Sequence, residues 1–179
     1  MCAKIVVVTF VLLQSIVLHA QDPKLEYIGD ITIHLSGKQT MIESDQLAWD
    51  VPGGTFELKS GGRGTLENPC GDWADIQDSG TFAMNLRCNI AMDDGSVIYF
   101  EYRGKFRFDE SGPDYAEKGK LITPFDGTKY WMALLLMKTT GTNYLWVNET
   151  IFVSKGVEVL FPAEGIKPYA KYKLYKVNY

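Results

Sequence analysis

Residues 80–104 constrain the fold of this chain most, because they spell a β-hairpin whose two faces differ chemically. Its turn is Asp93-Asp94-Gly95, where glycine accepts positive φ at no steric cost and the aspartates bond their own backbone. On the first arm Phe82, Met84, Leu86, Cys88, Ile90 and Met92 share one face, and Thr81, Ala83, Asn85, Arg87, Asn89 and Ala91 share the other. On the second arm Ile98, Phe100 and Tyr102 oppose Val97, Tyr99, Glu101 and Arg103. Such a hairpin belongs to a twisted antiparallel sheet. A period of two separates the rows but leaves two arrangements open. Either the apolar rows form a core with the polar rows in solvent, or Arg87, Tyr99, Glu101 and Arg103 line a barrel interior and meet a polar ligand.

The rest of the chain repeats the pattern. Aromatic and β-branched runs are separated by Gly, Asp, Asn and Pro, which predicts an all-β chain. Leu25–Leu35 reads as a first strand with His34 pointing away from its apolar face, Pro52–Leu58 as a turn feeding a strand, and Tyr169–Val177 as a last strand. The stretch up to Trp49 has mixed periodicity and is not assigned. Phe106–Lys120 is polar and turns at Ser111-Gly112-Pro113-Asp114, as expected of a loop over a barrel mouth. Tyr130–Met137 is apolar on both faces and fits a short helix or a fully buried strand equally. Tyr144–Val153 alternates as a strand. Gly61-Gly62-Arg63-Gly64 lacks the Gly-Lys-Ser/Thr ending and following helix of a phosphate loop.

Residues 1–20 carry Lys4, an apolar run from Ile5 to Leu13, and Leu18-His19-Ala20 before polar Gln21-Asp22-Pro23, which reads as a secretory signal cleaved after Ala20. A secreted or secretory-lumen chain is expected, with one β-barrel domain over residues 21–179. The run is about half of the roughly 20 residues a bilayer span needs, so no membrane span is expected. Cleavage would remove one of 18 basic residues and none of the 22 acidic ones, taking the formal charge from −4 to −5. Nucleic acid is therefore not an expected partner. Cys2 would leave as well, and Cys70 and Cys88 then form an expected disulfide, with two free thiols as the alternative.

Little conventional catalysis can be assembled from what remains. The mature chain has one histidine, His34, so a His-rich metal site, a serine triad or a Cys-His pair lacks its parts. No metal and no cofactor is expected. Acid–base or electrostatic catalysis by Asp72, Tyr99, Glu101 and Arg103 is what the residues allow, suited to isomerisation, dehydration or ring closure. Tyr144, Trp146 and Asn148 share a face of their strand and offer a platform for a flat ligand, beside ordinary core packing as the other reading. Asn148-Glu149-Thr150 is also the one N-glycosylation sequon, and a glycan there excludes a pocket role for Asn148.

These residues fall in a familiar order. Gly53-Gly54 with Phe56, Gly64-Thr65, Gly71-Asp72-Trp73, Asp93-Asp94-Gly95 with Ile98-Tyr99, and Arg103-Gly104 are followed by Tyr144 with Trp146 and Asn148, Phe152-Val153 with Gly156, and Tyr175-Lys176-Val177. The chain resembles, over Leu25–Val177, the domain of unknown function 3237 family of compact, lipocalin-like β-barrels. The resemblance implies a small antiparallel lipocalin- or calycin-like barrel and points to Asp72, Trp73, Arg87, Tyr99, Arg103, Trp146 and Asn148. Asn85 stands where many relatives have an acid and Cys88 where an aromatic is common.

Three functions follow as expectations. The first is a barrel that binds a small aromatic or polycyclic metabolite inside, held by Trp73, Trp146 and Tyr99, with Arg87 or Arg103 pairing an anionic or phenolic group. The second is a cofactor-independent isomerase, cyclase or lyase of secondary metabolism using the same pocket. The third is a secreted interaction protein glycosylated at Asn148.

Overall fold

The structure is a computed structural model that describes residues 22–179. The expected signal segment lies outside the described residues. Ten strands run in chain order: β1 (Lys24–His34), β2 (Gln39–Glu43), β3 (Gln46–Asp50), β4 (Gly53–Leu58), β5 (Arg63–Ile76), β6 (Thr81–Met92), β7 (Val97–Phe108), β8 (Thr128–Thr139), β9 (Phe152–Leu160) and β10 (Tyr169–Asn178). A short helix, α1 (Gly112–Glu117), precedes β8, and a 3₁₀ helix, Thr142–Glu149, follows it. Strands β5, β4, β1, β10, β9, β8, β7 and β6 are bonded in that order, and β6 pairs back onto β5. The result is a closed eight-stranded antiparallel β-barrel, with β2–β3 hung from β5 outside the ring.

The central hairpin forms as its turn chemistry demands. Gly95 takes φ +84°, the Met92 N–H donates to the Ser96 carbonyl at 2.8 Å, and the Ser96 N–H donates to Asp94 Oδ1 at 2.9 Å. Its apolar rows face inward: Leu86, Cys88, Ile90, Ile98, Phe100 and Tyr102 are buried. The arrangement with Arg87, Tyr99, Glu101 and Arg103 inside is therefore corrected. Two arginines with one glutamate would have to be desolvated in a core filled by Phe56, Phe100, Phe152 and Leu174, whereas on the outer face they keep their water.

Strand β5 changes partner halfway along. Arg63–Thr65 pair with β4, but Gly71–Asp75 pair with β3. At the crossover Pro52 separates β3 from β4, and the β5–β6 ladder shifts register between Glu67 and Gly71, beside Pro69. Proline supplies no N–H to a ladder, so the wall parts here. Strand β3 leaves the barrel as half of a flap at the mouth.

The two ends of the barrel differ. One is plugged by the 3₁₀ helix, whose Val147 is buried and whose Tyr144 ring lies against Gly62 of the β4–β5 turn. The other is a mouth bounded by the β2–β3 flap, the Ile76–Thr81 turn, α1 and the Leu160–Tyr169 segment. Asp109 ties α1 to the start of β8: Oδ1 accepts the N–H groups of Ser111 and Gly112, and Oδ2 accepts that of Gly127 at 2.9 Å.

Three segments differ from the sequence expectation, the first being Phe106–Lys120, in which Phe106–Phe108 end β7 with Phe106 buried and Gly112–Glu117 form α1. Tyr130–Met137 lies within strand β8 but is not buried on both faces, since Leu134 and Leu136 are exposed on the outside. Tyr144–Glu149 is 3₁₀ helix rather than strand, and the chain re-enters the sheet only at Phe152. A strand there would leave the closed end open. The turn instead buries Val147 and is fixed by Asn148, which accepts the Thr139 N–H and donates to the Thr139 carbonyl, both at 2.9 Å.

Candidate functional site

At mid-height inside the barrel sits a small polar cluster in otherwise apolar walls. Asp72 of β5 is 4% exposed. Its Oδ2 accepts the Tyr102 hydroxyl of β7 at 2.5 Å, and its Oδ1 accepts the backbone N–H of Asn85 at 3.2 Å. The registers explain the reach: Asp72 is opposite Leu86, and Leu86 is opposite Tyr102, so one inward row carries carboxylate, spacer and phenol on three adjacent strands. The Tyr172 hydroxyl of β10 donates to the Tyr102 oxygen at 3.4 Å. Trp131 of β8 packs edge-on to Tyr172, ring centroids 5.0 Å apart.

Burial dominates the electrostatics of this cluster. It pushes the Asp72 carboxyl up to about 7, against the opposing effect of the bonds from Tyr102 and Asn85. The same burial pushes Tyr102 and Tyr172 above the ordinary phenol range, with the nearby Asp72 charge adding to it. Both phenols therefore stay protonated, and the proton that moves near neutral pH belongs to the carboxyl.

Above the cluster the walls are aromatic. An inner cavity of about 40 Å³ is lined by Asp72, Tyr102, Tyr172, Trp131 and Trp49, among others. That is space on the scale of one water or one ligand oxygen. Phe82, Trp49 and Phe161 separate it from a mouth cleft of about 540 Å³, which Met41 and Leu47 of the flap and Ala116 of α1 complete. The indole N–H of Trp49 is buried without a partner, while that of Trp131 is turned to the Tyr172 hydroxyl.

Of the residues the sequence put forward, only Asp72 lies in this interior site. Trp73, Arg87, Tyr99, Glu101 and Arg103 gather on the outer face of β5–β7, behind the wall that holds Asp72. There Glu101 is a hub: it accepts the Tyr99 hydroxyl at 2.8 Å and Arg103 Nε at 3.0 Å, with Arg87 Nε at 3.8 Å. The Tyr99 bond, and then the arginines, hold the Glu101 carboxyl below the usual carboxylate range. Tyr144, Trp146 and Asn148 sit at the closed end, so they form no platform beside Asp72. Asn148 is exposed, with its amide engaged by Thr139. Cys70 and Cys88 form the expected disulfide between β5 and β6.

Sequence reading missed Tyr102, Tyr172, Trp131 and Trp49. The available signal was a hydroxyl in an apolar row: Tyr102 alternates with Ile98 and Phe100, where a purely packing residue needs no polar atom. Trp49 carried no such signal, because its place follows from β3 pairing, which sets it opposite Asp72.

Among the described residues, no cluster of His, Cys, Asp and Glu is arranged to hold a metal ion. No helix among them is long and apolar enough to cross a membrane. The chain is similar in structure to a conserved protein of unknown function from Rhodopseudomonas palustris, at 17% identity and a TM-score of 0.74, covering 89% of this chain and all of that one. It is also similar to a β-barrel-like protein from Acinetobacter baumannii, at 21% identity and a TM-score of 0.70 over 90% of this chain and 99% of the other. An enzyme from Penicillium herquei shares the fold more distantly, at 13% identity and a TM-score of 0.53, over 89% and 97% of the two chains. No curated protein matches the chain. The family model for the protein of unknown function DUF3237 matches residues 23–177, almost the whole described barrel, and the chain belongs to that family.

Proposed function

We propose that this barrel binds a small, flat, largely aromatic molecule through its mouth, with one oxygen of that molecule in the inner cavity. The observation that carries this reading is the adjacency, across Trp49, Phe82 and Phe161, of an aromatic cleft of about 540 Å³ and a buried Asp72–Tyr102 pair beside the unpartnered indole N–H of Trp49. A cleft of that size suits a drug-sized ligand. Phe82, Phe108 and Phe161 offer ring area, and Trp49, Tyr102 and Asp72 offer directed polar contacts to a phenol or ketone. The Cys70–Cys88 disulfide is compatible with passage through the secretory pathway, which we include in the proposal. Calorimetric titration with 2-naphthol, a flat phenol, tests the reading. Saturable binding that Tyr102→Phe and Trp49→Ala both weaken supports it; no binding by the parent chain counts against it.

A second reading is a cofactor-independent isomerase, cyclase or lyase. One observation favours it: a carboxyl pushed up to about 7 beside an aromatic cleft is poised to accept and return a proton at neutral pH. In this reading Asp72 moves the proton and Tyr102 orients it, while Arg103, Tyr99 and Glu101, being on the outer face, take no part. Turnover of a bound substrate, lost in Asp72→Asn with binding retained, distinguishes this enzyme from a binding protein.

A further inference from the structure

The outer wall behind Asp72 carries a second arrangement of side chains. An open cleft of about 1050 Å³ runs along the outside of β5 and β6, between the β2–β3 flap and the barrel. Trp73 stands in it 45% exposed. The six-membered part of its indole lies against Gly71, within 3.0 Å of where a Cβ on that glycine would sit. The bare backbone at Gly71 lets the ring rest along the strand and keeps it in the cleft.

Planar polar groups surround the ring. The registers set Asn85 opposite Trp73, and Arg87 opposite Gly71. Asn89 and Tyr99 continue the wall, and Asp50 lines the flap side. Arg87 is 53% exposed, and its Nε is 3.8 Å from Glu101, beyond hydrogen-bond reach, so its guanidinium donors are open to the cleft. Arg103 is committed to Glu101 at 3.0 Å. Asn85 lines the cleft with its amide oxygen closed to solvent.

We propose that this cleft is a second binding site, for a neutral oligosaccharide. The apolar C–H face of a sugar ring covers an exposed indole, and ring hydroxyls pair with amides, a guanidinium and a carboxylate, the set Asn85, Asn89, Arg87 and Asp50 supplies. Charge points the same way. The charged side chains that line the cleft are one of each sign, Asp50 and Arg87, so it selects for neither, and an acidic chain repels polyanions. The cleft is open along its length and exceeds the roughly 300–1,000 Å³ of a typical small-molecule pocket, which fits several linked rings better than one. The barrel interior lies on the opposite face of the same strands, and Trp49 of β3 borders both spaces, so the test varies Trp73 and Arg87, which line the outer cleft alone.

The test is calorimetric titration of the chain with cellohexaose, chitohexaose, maltohexaose and mannohexaose. At least one is expected to bind, with affinity about tenfold weaker in Trp73→Ala and weaker also in Arg87→Gln, while Trp73→Phe retains part of it. Binding of 2-naphthol by Trp73→Ala serves as the control for the interior and is expected to match the parent chain. Absence of binding for all four sugars, or a bound sugar indifferent to both Trp73→Ala and Arg87→Gln, overturns the proposal.

Discussion

Tyr102 reaches across β6 to donate a 2.5 Å hydrogen bond to Asp72 Oδ2, so a carboxyl group that titrates near neutrality is sealed in the barrel by a phenol that does not. Burial is the leading cause of the carboxyl's raised pKa, and burial is relieved on unfolding. Between about pH 4 and 7 the unfolded chain gives up the Asp72 proton and the folded chain keeps it. The native state binds more protons over that window, so this group's contribution to stability is full below pH 4 and is lost as pH rises through 7. The loss is on the order of 4 kcal/mol. Asp94, Asp109, Glu101 and Asp114 have lowered values and act in the opposite sense in acid. Denaturant unfolding of the parent and of Asp72→Asn at several pH values isolates the effect. The difference between the two chains should shift toward the variant as pH rises from 4 to 8.

Tyr102→Phe should push Asp72 higher still, because the phenol's bond is a cause that holds it down. Removing it also leaves the buried carboxyl with the Asn85 N–H alone, at a cost of about 1–3 kcal/mol that is largest where the group is ionised. Carbon-detected NMR titration of the Asp72 carboxyl reads the first effect and unfolding at pH 8 the second. An unchanged titration would remove the phenol from the account.

Gly156 has no room for a side chain, since a Cβ there would fall 1.8 Å from the Trp131 ring. Gly156→Ala must push that ring toward Tyr172 and should cost about 1–3 kcal/mol or more by overpacking. Combining it with Trp131→Leu should cost less than the two changes added separately. A double-mutant cycle by thermal unfolding measures the coupling.

Replacing both Cys70 and Cys88 by serine removes a crosslink over a sequence separation of 18 residues and should cost about 3 kcal/mol by chain entropy. The midpoint of denaturant unfolding should fall for the parent under reducing conditions and stay fixed for the double variant.

The strands were legible where alternation is strict and turn chemistry strong, as from Thr81 through Arg103. The sidedness of those rows was not, because a period of two reports two faces and is silent on which the closed barrel encloses. Arg87, Tyr99, Glu101 and Arg103 read as a site because they cluster, and they do cluster, outside. Tyr144–Glu149 misled for a different reason: six residues of alternation also fit a short turn, and the deciding bonds come from Thr139, in a preceding strand. The interior site depends on Trp49, Asp72, Tyr102, Trp131 and Tyr172, drawn from five strands. No local pattern contains that set.

The disulfide has a consequence for how such a barrel can change over generations. Asp72 and Trp73 are neighbours in the chain that serve opposite sides of one wall, and sliding β5 by a single residue would exchange them, carboxyl into water and indole into the core. The ladder between β5 and β6 already slips once, between Glu67 and Gly71. Cys70, bonded to Cys88, sits inside that slip and clamps the strand immediately before the pair. Substitutions can therefore accumulate on either surface of β5 without disturbing the other, whereas an insertion or deletion near position 70 would scramble both surfaces at once.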